Sequence, residues 1–320
     1  SNHVGVFYNG VQLGNAQNGQ VDLGRYSLDN VEAISLYNGQ KSDIFQTAKD
    51  FSTASAIYIA TKHPRFKANE RSHFKVQMRT GSFGLANPSI LWEQKLAHTV
   101  HMSASAEYTY ANGRYKFRYK RKLADGSLAF DTTATRQNGD VQSLRTEIGI
   151  YGYIPEGKWN INGYFFTSER GIPGAIVNNV FRHGERQWDK AAFGQGSFSK
   201  KITDFYELKV NGKFSWDYLR FLRNDPKELY LDNSYYQREA YLSFANLFKL
   251  TDWWNISFAI DGQMNNLTSF TALSDSPIKP TRFTEFYSLA TAFNFSHVNI
   301  QASVLATTVQ ETARKDEYKF

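Results

Sequence analysis

Tyr206 to Tyr218 reads YELKVNGKFSWDY, and the period of this stretch decides the fold class. Tyr206, Leu208, Val210, Phe214, Trp216 and Tyr218 fall on one face of an extended strand, with Glu207, Lys209, Asn211, Lys213, Ser215 and Asp217 on the other. Successive side chains of a strand point to opposite faces, whereas a helix would scatter both sets around its circumference. A slip of one residue would move every charge to the apolar side, so the two environments fix the register.

The same alternation recurs on both sides of this stretch. Phe74, Val76 and Met78 oppose His73, Lys75, Gln77 and Arg79; Val100, Met102, Ala104, Ala106, Tyr108 and Tyr110 oppose His101, Ser103, Ser105, Glu107 and Thr109. Leu144, Ile148 and Ile150 oppose Arg145 and Glu147, and Trp159 to Phe166 continues the pattern. Beyond Tyr218, Trp254, Ile256, Phe258 and Ile260 oppose Asn255, Ser257, Asp261 and Gln263, and Val298, Ile300 and Val304 oppose Asn299, Gln301 and Ser303. With weaker strands at 89–96, 191–200, 238–248 and 286–295, about eleven consecutive strands follow Ser72, and no long helix is predicted.

The connections between them sort by length. They are short at 97–99, 154–158, 201–205, 250–253 and 296–297, and long at 111–143, 167–190, 219–237 and 265–285. A transmembrane barrel has this order: tight turns on one rim, long loops on the other, and staves of about ten alternating residues. Aromatic residues near strand ends (Tyr108, Tyr110, Tyr151, Tyr153, Trp159, Trp216, Tyr218, Trp253, Trp254, Phe293 and Phe295) suit the two belts where amphipathic rings meet headgroups. A soluble sandwich or propeller also alternates, but strands with one strongly charged face are long for a sandwich. The set of eleven has an open edge at both ends, which hydrocarbon does not tolerate, so further strands are expected beyond Phe320.

Composition narrows the function classes. The chain has no cysteine, which removes disulfides, zinc–thiolate sites and cysteine nucleophiles. No run of about 18 apolar residues is present, so no membrane-spanning helix is expected, and SNHVGVFYNG lacks the pattern of a signal peptide. The net charge of +7 is spread along the chain except at Arg114 to Lys122, RYKFRYKRK, where bases alternate with aromatics. That run reads as the polar face of a strand or loop, with nucleic-acid or lipopolysaccharide contact as the alternatives. No phosphate loop, HExxH or nucleophile elbow occurs, and His98 and His101 are read as ordinary surface residues, so neither an enzyme nor a resident metal or cofactor is expected.

Before Ser72 the period changes. Val4 to Val11 is an apolar hairpin broken at Asn9-Gly10, and Ser27 to Lys62 reads SLDNVEAISLYNGQKSDIFQTAKDFSTASAIYIATK. It predicts a strand at 31–36, a turn at Asn38-Gly39, a brief helix, and a second strand at 56–61. This small α+β region, 1–62, is followed by a polar linker, 63–71, and then by the staves, 72–320.

Leu28, Asp29, Val31, Glu32, Gly39, Ser42, Ala54, Ile57, Ile59, Thr61 and Lys62 together resemble the end of the plug domain of TonB-dependent outer-membrane transporters. Phe7 to Leu13, FYNGVQL, is similar to an earlier plug hairpin of that family, and Ser168 to Gly174, SERGIPG, to one of its barrel-loop motifs. The chain departs from the family pattern at Gly39-Gln40, Phe45-Gln46 and Ala54-Ser55. The resemblance implies the later part of a plug and about half of a barrel of about 22 strands. It implies import across a Gram-negative outer membrane of a scarce nutrient such as a metal chelate, a ferric siderophore or cobalamin, energised through TonB. A passive barrel or an adhesion protein is the alternative. Outer-membrane lipid, lipopolysaccharide and a surface lipoprotein are the further partners implied; nucleic acid is not.

Inward polar residues such as Glu207, Lys209, Lys213 and Asp217 are then expected to bond to the plug or to luminal water, and Glu32 either to pair with the wall or to stand as an exposed carboxylate at a strand edge. Arg170, Arg182, Arg186, Trp188, Arg220, Arg223, Tyr230, Tyr235 and Tyr236 fall in outer loops or strand tops, where cations and rings suit an anionic, planar ligand, contact with lipopolysaccharide phosphates or simple solvation of the loops being the alternative.

Overall fold

The computed structural model describes residues 4–14, 21–26, 30–38, 41, 43–67, 69–174, 176, 184–224, 228–272 and 274–315. The N-terminal sheet has four strands: β1 (Val4–Tyr8), β2 (Val11–Leu13), β3 (Val31–Asn38) and β4 (Ser55–Thr61), in the order β2-β1-β4-β3. β1 runs parallel to β4, and the other two pairings are antiparallel. Asn9 and Gly10 join β1 to β2 with φ of 49° and 83°, the two left-handed positions that a two-residue hairpin needs. One 3-10 turn, Ala48–Ser52, starts at a capping box in which Thr47 and Asp50 each bond the other's backbone N–H.

Eleven antiparallel staves form the second sheet: β5 (Ser72–Gly81), β6 (Leu85–Lys95), β7 (Val100–Ala111), β10 (Val141–Ile154), β11 (Gly157–Ile172), β12 (Glu185–Thr203), β13 (Tyr206–Arg223), β14 (Leu231–Lys249), β15 (Trp254–Thr271), β16 (Ser274–Asn294) and β17 (Asn299–Lys315). Each pairs with its chain neighbours, and β7 pairs directly with β10. The residues between those two form a separate hairpin, β8 (Tyr115–Lys122) and β9 (Leu128–Arg136). The chain is therefore an all-β protein of the transmembrane-barrel kind, with an open stretch of antiparallel wall.

Much of what reads as long loop is strand. β12 begins at Glu185 rather than near 191, and β15 and β16 remain paired as far as Thr271 and Ser274, so the loop expected over 265–285 is mostly paired strand. Ser and Thr with few apolar neighbours hide the alternation there, while backbone pairing to the adjacent stave continues regardless of side chain. The basic run Arg114 to Lys122 is likewise mostly strand, in β8.

Burial runs opposite to that of a soluble sandwich. Phe214 is 58% exposed, whereas Lys213 on the alternate face is 6% exposed. Glu239, Ser243 and Asp261 are buried while Leu242, Phe244 and Ile260 are exposed. The polar face is covered because the N-terminal sheet lies against it, and the apolar face is left for hydrocarbon.

Candidate functional site

The contact between the N-terminal sheet and the staves is the most built feature of the molecule. Two apolar clusters seat it. Ile44, Phe45, Ala48 and Phe51 pack on Ala245, Leu247, Ala259, Phe286, Ala290 and Ala292. The wall alanines give the 3-10 turn room to approach. Val6, Tyr8, Leu13 and Ile59 pack on Tyr164, Phe166, Ala191 and Phe193.

Around these clusters the wall offers charges and amides rather than a continuous core. Glu147 Oε2 accepts from the Tyr8 hydroxyl at 3.0 Å and from Asn30 Nδ2 at 2.8 Å. Burial, with the Glu147 carboxylate beside it, pushes the Tyr8 hydroxyl well above its usual pKa, so it remains a donor. Gln195 donates to the Tyr8 carbonyl (2.8 Å), Lys209 to the Phe45 carbonyl (2.7 Å) and Lys213 to the Gln12 carbonyl (3.1 Å). Asp261 accepts the Lys49 backbone N–H at 2.7 Å and the Tyr241 hydroxyl at 2.8 Å. Lys213 and Glu239 form a buried ion pair at 2.9 Å beneath this seat.

Arg25 ties the N-terminal unit to the upper wall, towards the rim of longer connections. Its carbonyl accepts from Arg145 (2.9 Å) and from the Tyr164 hydroxyl (2.7 Å). Its guanidinium pairs with Asp189 at 3.0 Å and lies 5.6 Å from the Phe166 ring centre. Asp189 is 1% exposed and also pairs with Arg170 at 3.3 Å, so one carboxylate joins two cations, one from each unit.

Next to this node is a cavity of about 380 Å³ between the N-terminal unit and β11 to β15. Leu13, Gly14, Val21, Asp22, Arg25 and Tyr26 form its floor, and Arg170, Gln187, Lys213, Asp217, Tyr218, Tyr235 and Gln237 are among its wall residues. Three cations, two carboxylates and several phenol rings make it suited to a polar ligand of moderate size with aromatic or anionic parts.

The residues singled out from the sequence divide into groups. Leu28, Asp29, Gly39, Ser42 and Arg182 lie outside the described residues. Val31 opens β3; Thr61 is 1% exposed and exchanges bonds with Asn9 and the Tyr151 hydroxyl; Lys62 donates its backbone N–H to the Asn30 carbonyl. Glu32 does not reach the wall. It is held at 3.0 Å by Arg65, in the segment just before the staves, because β3 is the outer strand of its sheet and turns Glu32 outward. Of the inward polar set, Lys209 and Lys213 bond to the N-terminal unit and Asp217 lines the cavity, while Glu207 pairs with Lys249 on the neighbouring stave.

Arg170 and Tyr235 are brought together at the cavity. Arg220 stacks 5.3 Å from the Trp188 ring centre and is held by both oxygens of Asp232. Arg186 is held by Asp140 and Glu169, and Arg223 by Glu185 and Glu228. Tyr236 packs against Tyr218 at 4.9 Å, and Tyr230 lines a shallow recess beside Arg220. Arg25, Tyr26, Asp189 and Glu239 were not singled out. Glu239 shares a face with Ser243 on its strand, so its inward direction was readable; Arg25 lies in a segment with no period to place it.

No protein-family model matches the chain, and no curated protein matches it. Solved structures do. The chain is similar to P. aeruginosa FpvA bound to ferric pyoverdines (9% identity, TM-score 0.69, 98% of this chain and 46% of that one). It is similar to the FrpB iron transporter from Neisseria meningitidis (8% identity, TM-score 0.69, 98% and 54%) and to the copper transporter OprC (9% identity, TM-score 0.63, 97% and 52%). At these identities the likeness shows the fold alone. The chain spans about half the length of each.

Proposed function

We propose that this chain is the gated part of an outer-membrane importer that takes up a scarce, bulky nutrient, a metal chelate of the ferric-siderophore or cobalamin kind. The observation that carries this reading is the seat: a small folded unit covers the polar face of the wall through separable ion pairs and hydrogen bonds, with a ligand-sized cavity at its upper edge. A permanent core would be apolar throughout. A polar seat exchanges protein partners for water at modest net cost, which a gate requires.

The chelate binds at the cavity, where Arg25, Arg170 and Lys213 supply charge and Tyr26, Tyr218 and Tyr235 supply ring faces. Binding there competes for Arg25 and Arg170, the two cations on Asp189, and so is felt directly by the unit that must move. Energy for the movement comes from TonB on the periplasmic side. Residues 4–62 act as plug and residues 72–315 as wall, in the outer membrane of a Gram-negative cell. The solved structures of similar fold include one described as an iron transporter and one as a copper transporter, which favours metal uptake over a passive barrel or an adhesin.

The test is growth and radiolabelled uptake in a deletion strain and its complemented parent, offered ferric chelates, copper and cobalamin in turn. Loss of uptake of one of them, restored by the wild-type gene, is the expected result. Uptake that never depends on the gene or on TonB overturns the proposal.

A further inference from the structure

The hairpin β8–β9 leaves the wall between β7 and β10, and neither the seat nor the cavity uses it. Cross-strand pairing places Lys116, Arg118 and Lys120 on one face with Thr135, Thr133 and Asp131, and Tyr115, Phe117 and Tyr119 on the other with Arg136, Ala134 and Thr132. The basic face is exposed along its whole length, whereas Phe117, Tyr119, Thr132 and Ala134 are half-buried. Residues 114–136 contain seven Lys or Arg against two Asp, so this ribbon holds +5 of the chain's formal +7. On the basic face only Asp131 offsets it, and that carboxylate accepts from two nitrogens of Arg118 at 2.8 and 2.7 Å, with Lys120 Nζ at 3.9 Å.

Stave length sets the height of the ribbon. Crossing the hydrocarbon takes about 9–11 residues at the usual tilt. β7 has 12 residues and β10 has 14, so both end just above it, while β12 to β16 continue for 18 to 21. The ribbon therefore starts at the level of the headgroups, and the cations on the longer staves stand above them. Its base is fixed: Arg136 donates to the Pro173 and Gly174 carbonyls, and Gly113, at φ 60°, passes so close to the Gly139 backbone that no side chain fits. Tyr115 meets Phe83 of the β5–β6 turn edge-on at 5.7 Å.

We propose that the β8–β9 ribbon is a docking surface for the phosphate groups of the outer-leaflet lipid around the barrel. This rests on the outer-membrane reading above. Exposed lysines and an arginine at alternate positions, about 7 Å apart along a fixed strand, present a row of charge to clustered phosphates. A nucleic acid would meet the same charges, but the rings that would stack its bases are half-buried on the far face.

The experiment compares full-length wild type with the triple variant K116Q/K120Q/K122Q, which leaves the Arg118–Asp131 pair intact. Both are taken from outer membranes in mild detergent, and folding is checked by heat-modifiable migration. Glycolipid retained per barrel is measured by mass spectrometry, and rebinding is measured with vesicles of intact or enzymatically dephosphorylated lipopolysaccharide at low and high salt. Removing three surface cations predicts binding about 100-fold weaker at low salt, with the difference shrinking as salt rises and the dephosphorylated lipid bound equally by both proteins. Equal retention by a folded wild type and variant overturns the ribbon proposal alone, as does wild-type binding that ignores dephosphorylation. An oligonucleotide bound by wild type and lost in the variant, with lipid unchanged, overturns it in favour of nucleic acid. A protein absent from the outer membrane overturns this proposal and the importer together.

Discussion

Asp189 and the Arg282–Glu311 pair mark the two ends of what an ion pair contributes in this molecule. Asp189 is 1% exposed and joins Arg25 to Arg170 across the two units. Asp189→Asn leaves two cations competing for a neutral amide, and breaking a buried pair costs about 3–5 kcal/mol. The expected result is faster protease cleavage within residues 4–62 while the staves stay folded. Arg282 and Glu311, at 55% and 48% side-chain exposure, are screened by solvent, so Arg282→Ala is expected to shift stability by less than about 1 kcal/mol in the same assay.

Lys49 gives the seat a pH dependence. Its side chain is buried at the 3-10 turn; burial, helped by the Lys213 cation, lowers its pKa to about 8 against the carboxylates of Glu239, Asp261 and Asp50. Below pH 8 the group is protonated whether or not the unit is seated, and the burial penalty is borne in full. Between about 8 and the free value of 10.5 the unseated form binds more protons, so seating strengthens as pH rises, by about 3 kcal/mol over the window. Lys49→Met should abolish that slope in unfolding measured across this range. It leaves the backbone N–H bond to Asp261 in place.

At the scale of the element, each stave carries two chemistries on one strand. Phe214 faces outward at 58% exposure, and its neighbours Lys213 and Ser215 face inward and are buried. Phe214→Lys should cost about 2–4 kcal/mol in equilibrium unfolding from a lipid bilayer, whereas an exposed lysine on a soluble sheet would cost little. Ser215→Ala on the inner face should be near neutral by comparison. The alternation of β13 was legible from Tyr206 to Tyr218, where apolar and polar residues exchange, but its end, Leu219 to Arg223, loses the period and read as loop. The upper halves of β15 and β16 were not, because their pairing rests on backbone bonds and their side chains carry little period. Arg114 to Lys122 shows a third case: its alternation was visible, but only the direct pairing of β7 with β10 showed that it stands outside the wall.

For the whole molecule, the polar lining of the wall can be satisfied either by the N-terminal unit or by water. Glu147, Asp189, Lys213, Glu239 and Asp261 are all buried by a unit that the staves do not themselves supply. Deleting residues 4–62 from the full-length protein should therefore leave a hydrated passage in a folded barrel. The expected readout is entry of a large hydrophilic antibiotic, or stepwise conductance in planar bilayers. A deletion protein that folds and stays sealed would remove the case for residues 4–62 as the gate.

The sequence by itself determined the strand period, the number of staves, the separate N-terminal sheet and its Asn9-Gly10 turn. These follow from local rules: alternate side chains face opposite ways, and a two-residue hairpin needs left-handed positions. Only the tertiary structure decided partnership. Glu32 went to Arg65 rather than to a stave, Asp189 joined Arg25 to Arg170, and Arg186, Arg220 and Arg223 were each given carboxylates. Which charges meet depends on which elements the fold brings side by side, from 12 positions apart for Arg220 and Asp232 to 164 for Arg25 and Asp189, and no local period carries that information.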